Sequence, residues 1–473
     1  MLHLSDIFNA LIGENLWNVK WSISEFVIDS RQATQNCVFV ALPGERVDGH
    51  NFVNSAFANG ASFALIDHEI ETNYPVLDLR RGKPASPKDA LHPPFSILVK
   101  NSLIGLQTIA TYWRSQFDVR VIGITGSVGK SSTKDLIASV LSRRFITLKT
   151  QGNMNNEIGL PLSLLRLGSE HEIAVLEMGF YIPGEIKSLC AIAKPQVGVI
   201  TNVGTVHAER AGSQEIIARG KGELVEALPA APDGLAILNF DDPLVKQMAS
   251  MTKASVFYYG LSPEADLWAD EIIGLGLDGI HCRLHYKNET LYVKAPLIGR
   301  HSVYTLLRAA SVALTEGMNW EWIIYALQSS KVQLRLSTVK STNGALLIDD
   351  TYNASPPSTL AALNLLHDLE GRKVAVLGDM LELGQYEKQG HEMIGIRAAE
   401  VANEIVLVGE RSKITEKAVL STGYSPSKVH WFADAQDAAA YLETVLKEGD
   451  TTLIKGSHSM HMEDIITTLE ERE

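Results

Sequence analysis

Cysteine is scarce in this chain. Three are present among 473 residues, Cys37, Cys190 and Cys282, far apart and without a CxxC pair. That spacing offers neither a disulfide framework nor a cysteine-based structural zinc site. Long apolar runs are missing as well, and no stretch approaches the roughly 18 uncharged apolar residues that a membrane-crossing helix needs. Positive charge is in deficit, with 42 Lys and Arg against 55 Asp and Glu for a net charge of −13. A surface of that sign repels nucleic acid rather than attracting it. There is no internal repeat and no low-complexity segment. The opening MLHLSDIFNALIGENLW lacks a basic leader and sets Asp6 and Glu14 among its apolar residues. It reads as an amphipathic helix rather than a secretory signal, and a cytoplasmic protein is expected.

What is present is ordinary globular material, 45% hydrophobic and 21% charged. At roughly 150 residues per domain, the length predicts about three domains. Residues 1–98 carry short mixed elements, with VFVAL (38–42) and SFALID (62–67) as strands and a polar, proline-bearing loop at 81–94. Residues 99–315 alternate apolar, β-branched runs with helical patterns: VRVIGIT (119–125), IAVLEMG (173–179), VGVITNV (197–203) and LAILNF (235–240). Such alternation predicts a mainly parallel sheet covered by helices on both faces. A small antiparallel excursion is expected over 277–297, and a helix over 301–317 that ends at a glycine.

Residues 316–473 alternate again. An Asn343-Gly344 turn precedes the strand ALLIDD (345–350), and a helix over 355–369 has Ser355 at its cap and Pro356 in its first turn. KVAVLGD, EIVLVGE, KVHWF and TTLIKG follow as strands between helices. This second doubly wound region holds no GxGxxG, so nothing supports a dinucleotide site there.

The most informative stretch is VIGITGSVGKSSTKD (121–135), where a strand runs through a glycine turn into a helix. Backbone N–H groups of Gly126, Ser127, Val128 and Gly129 can close round phosphate oxygens, and the helix N-terminus adds positive dipole. Lys130 can reach the β- and γ-phosphates, and the hydroxyls of Ser131 and Ser132 follow, the first suited to magnesium. The strict GxxxxGK[ST] spacing would place a glycine at 124, where Ile124 stands. The pattern predicts ATP binding. Glu177, at the end of a buried strand, is a candidate carboxylate for magnesium, although a strand-end Glu is more often simply exposed, and His207 follows another strand end.

These residues, with QGNMNNEIGLPLSLL (151–165), ARGKGEL (218–224), IDSR (28–31), FVALPGERVDGHNFV (39–53), LLIDDTYNASPPSTLAAL (346–363), VLGDMLELG (376–384) and KGSHSMHMED (455–464), resemble the ATP-dependent Mur ligases. The likeness runs in order along nearly the whole chain. It implies an α/β protein of three domains: a UDP-sugar-binding domain (1–98), a central P-loop ATPase (99–315) and a C-terminal Rossmann-like domain (316–473). It also implies an ADP-forming amide ligase of peptidoglycan synthesis, which activates a carboxylate as an acyl phosphate. The branch it most resembles adds D-alanyl-D-alanine to a UDP-linked muramoyl tripeptide, using ATP and Mg2+, as a monomer.

Carried over position by position, the resemblance implies roles for individual residues. Ser131 and Glu177 hold one magnesium, and His207 a second. Lys221 matches a lysine that carbon dioxide converts to a carbamate, a group that can also ligate the second metal; read alone, it is a solvated helix lysine. Lys130, His207 and Lys221 are thus the expected catalytic residues. His301, Ser302, Arg335 and Asp350 are expected at ATP. Asn153, Asn155, Asn156 and Glu157 are expected at the growing substrate, and Asp29, Ser30, Arg31, Gly44 and Glu45 at the uridine nucleotide. Tyr352, Asn353, Lys455 and His458 are expected at the incoming dipeptide.

Four positions depart from the family pattern. Ser302 stands where an adenine-reading asparagine is usual, Tyr181 and Ile182 replace an Asn-His pair, and His458 replaces an arginine. Histidine lacks the fixed bidentate fork of arginine, so a different amine acceptor stays open. A non-catalytic nucleotide-binding scaffold also stays open.

Overall fold

A computed structural model describes residues 1–14, 21–44, 47–82, 92–206, 208–330 and 336–470. Most of the proline-bearing loop expected at 81–94 falls outside them. The chain divides into two compact units: residues 1–123, 145–179 and 184–197 make the first, and 124–144, 180–183 and 198–473 the second.

The first unit opens with the expected amphipathic helix, Leu4–Ile12, closed by Gly13 in a left-handed conformation at φ 73°. It packs against helix Ser102–Ser115, whose cap Asn101 accepts the Ile104 N–H. A five-stranded sheet runs in the order Phe26–Val27, Val38–Val40, Phe63–Ile66, Phe95–Leu98, Val76–Asp78. Every pairing in it is parallel. Its core gathers Val27, Phe39, Ala64 and Ile66 with Cys37, which is buried and free. Later in the unit, strand Ile173–Glu177 pairs in parallel with Thr147–Lys149. It ends where expected in kind but two residues early, because Gly179 leaves to donate its N–H to the Asn155 carbonyl at 2.7 Å.

In the second unit Leu235–Asn239, Ser255–Gly260 and Leu267–Gly274 pair in parallel. The excursion expected over 277–297 is antiparallel, formed by Ile280–Tyr286 and Glu289–Ala295 against Leu267–Gly274. The C-terminal six-stranded sheet has the order Ser337–Lys340, Leu346–Asp349, Asp450–Lys455, Arg372–Gly378, Glu404–Val408, Val429–Phe432. Only its first pair is antiparallel.

Side chains of that sheet alternate between two cores, as the two-residue period of a strand requires. Leu347, Val374, Val376, Val406 and Ile454 face one, and Ile348, Ala375, Leu377, Ile405 and Leu453 the other. Burial on both faces explains why these strands read as continuous apolar runs. Helix Pro356–Asp368 starts after Ser355, whose N–H donates to Ser358 Oγ at 3.0 Å. Among the described residues, no helix is long and apolar enough to cross a membrane.

Candidate active site

Strand Arg120–Thr125 carries the chain from the first unit into the second, and helix Lys130–Leu141 follows it. Between them lies the expected phosphate loop. Gly126 sits at φ 148°, and a Cβ there would collide with Thr201 Oγ1. Gly129 caps the helix at φ 84°. Both glycines are therefore required by backbone geometry and close approach. The Lys130 ammonium donates to the Gly126 carbonyl at 2.9 Å and lies 3.4 Å from that of Ser127. It folds back over its own loop.

The loop is held from outside by residues that the sequence reading quoted but gave no role. Strand Val197–Ile200 stops short of the expected 203 because Thr201 and Asn202 turn their side chains to the loop. Thr201 Oγ1 donates to the Val128 carbonyl at 2.8 Å. Asn202 grips Val128 twice, accepting its N–H and donating to its carbonyl, both at 3.0 Å. Ser127 Oγ accepts the Gly204 N–H at 2.8 Å. Behind the loop, buried Arg308 donates to Thr133 Oγ1 at 2.8 Å, tying helix Val303–Thr315 to the phosphate-loop helix. The polar TNVG following an apolar strand was the available signal for this clamp. Arg308 gave none.

Lys221 overturns the solvated reading of its residue type. It lies on helix Gln214–Glu226, fully buried, and its Nζ has no hydrogen-bond partner. The Phe180 ring lies 4.8 Å away. Burial first, and then the positive charge of Lys130, push its ammonium well below the usual lysine range. Both effects favour the uncharged, nucleophilic amine over the ammonium. Ser131 is buried in the same unit, at the second position of the phosphate-loop helix. Nearby in sequence to Phe180, Tyr181 and Ile182 are exposed, with the Arg210 guanidinium 5.1 Å from the Tyr181 ring.

In the first unit, Glu177 is buried at its strand end, where Asn155 Nδ2 donates to its Oε1 at 2.8 Å. Thr150 Oγ1 accepts the Glu177 N–H. Asn153, Asn156 and Glu157 are exposed, and Asn156 Oδ1 caps the next helix by accepting the Gly159 N–H at 2.9 Å. Asp29 caps the turn that holds buried Ser30 and exposed Arg31. The hydrogen bonds from the Arg31 side chain pull the Asp29 carboxyl down to about 2. Gly44 N–H donates to the Val47 carbonyl at 3.1 Å.

In the C-terminal region, buried Lys455 pairs with Asp350 Oδ2 at 2.8 Å and donates to the Asn353 carbonyl at 2.7 Å. Tyr352 stacks on exposed His458, ring centres 5.9 Å apart. His301 keeps a solvent-accessible face, yet surrounding protein first, and then Lys455 and Arg308, hold its ring down at about 4. Asp350, Tyr352, Asn353, Lys455 and His458 thus come together, with His301 within reach of the Lys455 charge. The Ser302 hydroxyl is buried and donates to the Ile298 carbonyl at 2.6 Å, so it is engaged by its own backbone. His207, Glu45 and Arg335 lie outside the described residues.

Comparison with known proteins shows the family. Three family models match: "Mur ligase family, catalytic domain" over 22–88, "Mur ligase middle domain" over 124–313, and "Mur ligase, glutamate ligase domain" over 334–458. The chain is similar to the UDP-N-acetylmuramoyl-tripeptide--D-alanyl-D-alanine ligase of Bacillus subtilis, 34% identical across 93% of this chain and 92% of that protein. The ligase of the same name from Escherichia coli is 32% identical across 99% and 98%. Among solved structures, MurF from Acinetobacter baumannii superposes with a TM-score of 0.84 at 30% identity over 99% of both chains. MurF ligase from Thermotoga maritima in complex with ADP gives 0.78 at 29% identity, covering 94% and 96%.

Proposed function

The chain belongs to the Mur ligase family, and on that premise we propose that it is an ATP-dependent, ADP-forming ligase joining D-alanyl-D-alanine to UDP-N-acetylmuramoyl-tripeptide in peptidoglycan synthesis. The observation that carries this reading is the clamped phosphate loop around Lys130, set in a chain whose likeness to such ligases runs end to end.

The chemistry follows in two displacements. The terminal carboxylate of the tripeptide attacks the γ-phosphorus of ATP, forming an acyl phosphate and releasing ADP. The dipeptide amine then adds to the acyl carbon, loses a proton, and expels inorganic phosphate as the amide closes. Little covalent work falls to the protein in the first displacement, so positioning and charge neutralisation dominate. Lys130 supplies fixed positive charge at the phosphates, and the Asn202 clamp keeps the loop amides aimed at them.

The donors present suit magnesium. Glu177 offers a buried carboxylate held by Asn155, and Lys221 an unpartnered buried amine open to conversion into a carbamate. In that conversion the uncharged nitrogen attacks carbon dioxide, a C–N bond forms, and a proton leaves. Ser131 and Glu177 would then hold one magnesium, and His207 and carbamylated Lys221 a second. When bound, the metal neutralises charge on the phosphates and carboxylate. The remaining assignments belong to the same proposal: Asp29, Ser30, Arg31, Gly44 and Glu45 at the uridine nucleotide, Arg335 and His301 at ATP, and domain limits of 1–98, 99–315 and 316–473 in a monomeric, cytoplasmic enzyme.

One observation favours a second reading of the acceptor alone. His458 stacks on Tyr352 and offers no guanidinium fork, an arrangement that also suits an amine other than D-alanyl-D-alanine. Mass spectrometry of a reaction holding ATP, magnesium, bicarbonate, the UDP-linked tripeptide and a panel of amines separates the two. The proposal expects the tripeptide substrate to gain D-alanyl-D-alanine; product carrying a different amine would move the acceptor elsewhere.

A further inference from the structure

Outside the ligase site, the N-terminal unit brings two histidines and two aspartates together in an arrangement that the ligase chemistry does not use. Asp48, His50 and His68 each offer one ligand atom, all within 4.8 Å of one another. His50 is buried, while Asp48 and His68 keep part of their surface in solvent. His50 Nδ1 lies 2.7 Å from Asp48 Oδ1, and His68 Nε2 lies 3.5 Å from Asp48 Oδ2. The two imidazole rings face each other, centres 3.8 Å apart.

The far side of both rings decides the chemistry. A single oxygen, Asp67 Oδ1, lies 2.9 Å from His68 Nδ1 and 3.2 Å from His50 Nε2. The other oxygen of Asp67 is fixed by the Ser102 N–H at 3.2 Å and the Ser102 hydroxyl at 3.0 Å. One anchored carboxylate thus lies beside the outer nitrogens of two histidines whose inner nitrogens converge on a second carboxylate. Outer carboxylates of this kind orient metal-binding histidines and raise their basicity.

We propose that Asp48, His50 and His68 form a binding site for a divalent transition-metal ion of the zinc class, with Asp67 as the shared outer carboxylate and solvent completing the coordination. Two imidazoles and one carboxylate favour zinc, cobalt or nickel over magnesium or calcium, which prefer all-oxygen sites. Ligand atoms on tetrahedral zinc sit about 3.3 Å apart, given bonds of about 2.0 Å, so the three side chains draw together on binding, and the partly exposed Asp48 and His68 are the ones with room to turn. Without metal, the Asp67 N–H points at His50 Nε2 and the ring proton sits on Nδ1, facing Asp48. Binding at Nδ1 requires that proton to move to Nε2, so the hydrogen bond from the Asp67 N–H is given up and Asp67 Oδ1, 3.2 Å away, accepts the ring proton instead. Occupation would fasten the turn Gly49–Phe52 to the end of strand Phe63–Ile66.

Cobalt(II) is the probe, because tetrahedral nitrogen and oxygen ligation gives it a strong visible absorption. The full-length protein, stripped with chelator, is titrated with cobalt alone and followed by absorbance and by equilibrium dialysis. Wild type is expected to take up one ion with a visible band that zinc abolishes. His68→Ala removes a partly exposed side chain and is expected to lose that uptake by about 100-fold in affinity, while melting like wild type in chelator. Asp67→Asn, which keeps all three ligands, is expected to weaken binding by about 10–100-fold. No visible band in wild type, or an equal band in His68→Ala, would overturn the site.

Discussion

Lys221 is where residue identity and burial pull hardest against each other. An ammonium enclosed with no hydrogen-bond partner and with Lys130 as a like charge costs free energy, and that cost pushes its pKa down. Its pKa falls on folding, so its contribution to stability is complete only above the usual lysine value. That contribution is lost progressively as pH drops through the window between the unfolded and folded values. At neutral pH, without carbon dioxide or magnesium, Lys221→Met is therefore expected to melt at a higher temperature than wild type. The same variant is expected to lose ligase activity by at least about 100-fold. A lower melting temperature in calorimetry would contradict the cost of burying this unpartnered amine.

Gly126 makes a second prediction at this scale. With φ at 148° and Thr201 Oγ1 occupying the space of a Cβ, Gly126→Ala is expected to weaken ATP binding by about tenfold or more. Titration calorimetry with ATP would measure it, and wild-type affinity would contradict the geometry. Both glycines were legible in the sequence because a strand, a turn and GKS occurred together. The burial of Lys221 was not, since a helix lysine among polar neighbours carries no local sign of what packs over it.

At the scale of elements, the phosphate loop is as rigid as the strand end that grips it. Asn202 and Val128 are 74 residues apart in sequence, and their two hydrogen bonds make the polar TNVG a support of the glycine loop. Asn202→Ala removes both, at a net cost of about 1–3 kcal/mol. The expected result is a rise in KM for ATP with a smaller change in kcat, read from initial rates. An unchanged KM would show that the loop holds its shape alone.

Strand positions were readable from apolar runs, and the helix of the phosphate loop from its glycine turn. Strand ends were not, because Thr201, Asn202 and Gly179 leave their strands for partners distant in sequence. The Asp67 carboxylate shared by two histidines was hidden for the same reason. His301 adds a pH expectation. Its ring is held down at about 4, so it stays neutral between about pH 5 and 8. No inflection in the KM for ATP is expected from it across that range; an inflection that disappears in His301→Gln would contradict this.

For the whole molecule, two doubly wound regions and a smaller parallel-sheet region supply a framework that only partly fixes the acceptor. Order along the chain made the architecture and the reaction class legible. Under the proposed function the acceptor would turn on a few side chains, among them the exposed Tyr181, Ile182 and His458. The His458–Tyr352 stack is a contact of side chains brought together by folding, so residue type alone indicated a change without its geometry.

The most direct test of the central claim is phosphate release from ATP in magnesium and bicarbonate with UDP-N-acetylmuramoyl-tripeptide, with and without D-alanyl-D-alanine. The account predicts sustained release only when the dipeptide is present, in step with amide formation. Silence with the dipeptide, from folded protein that binds ATP, would contradict it.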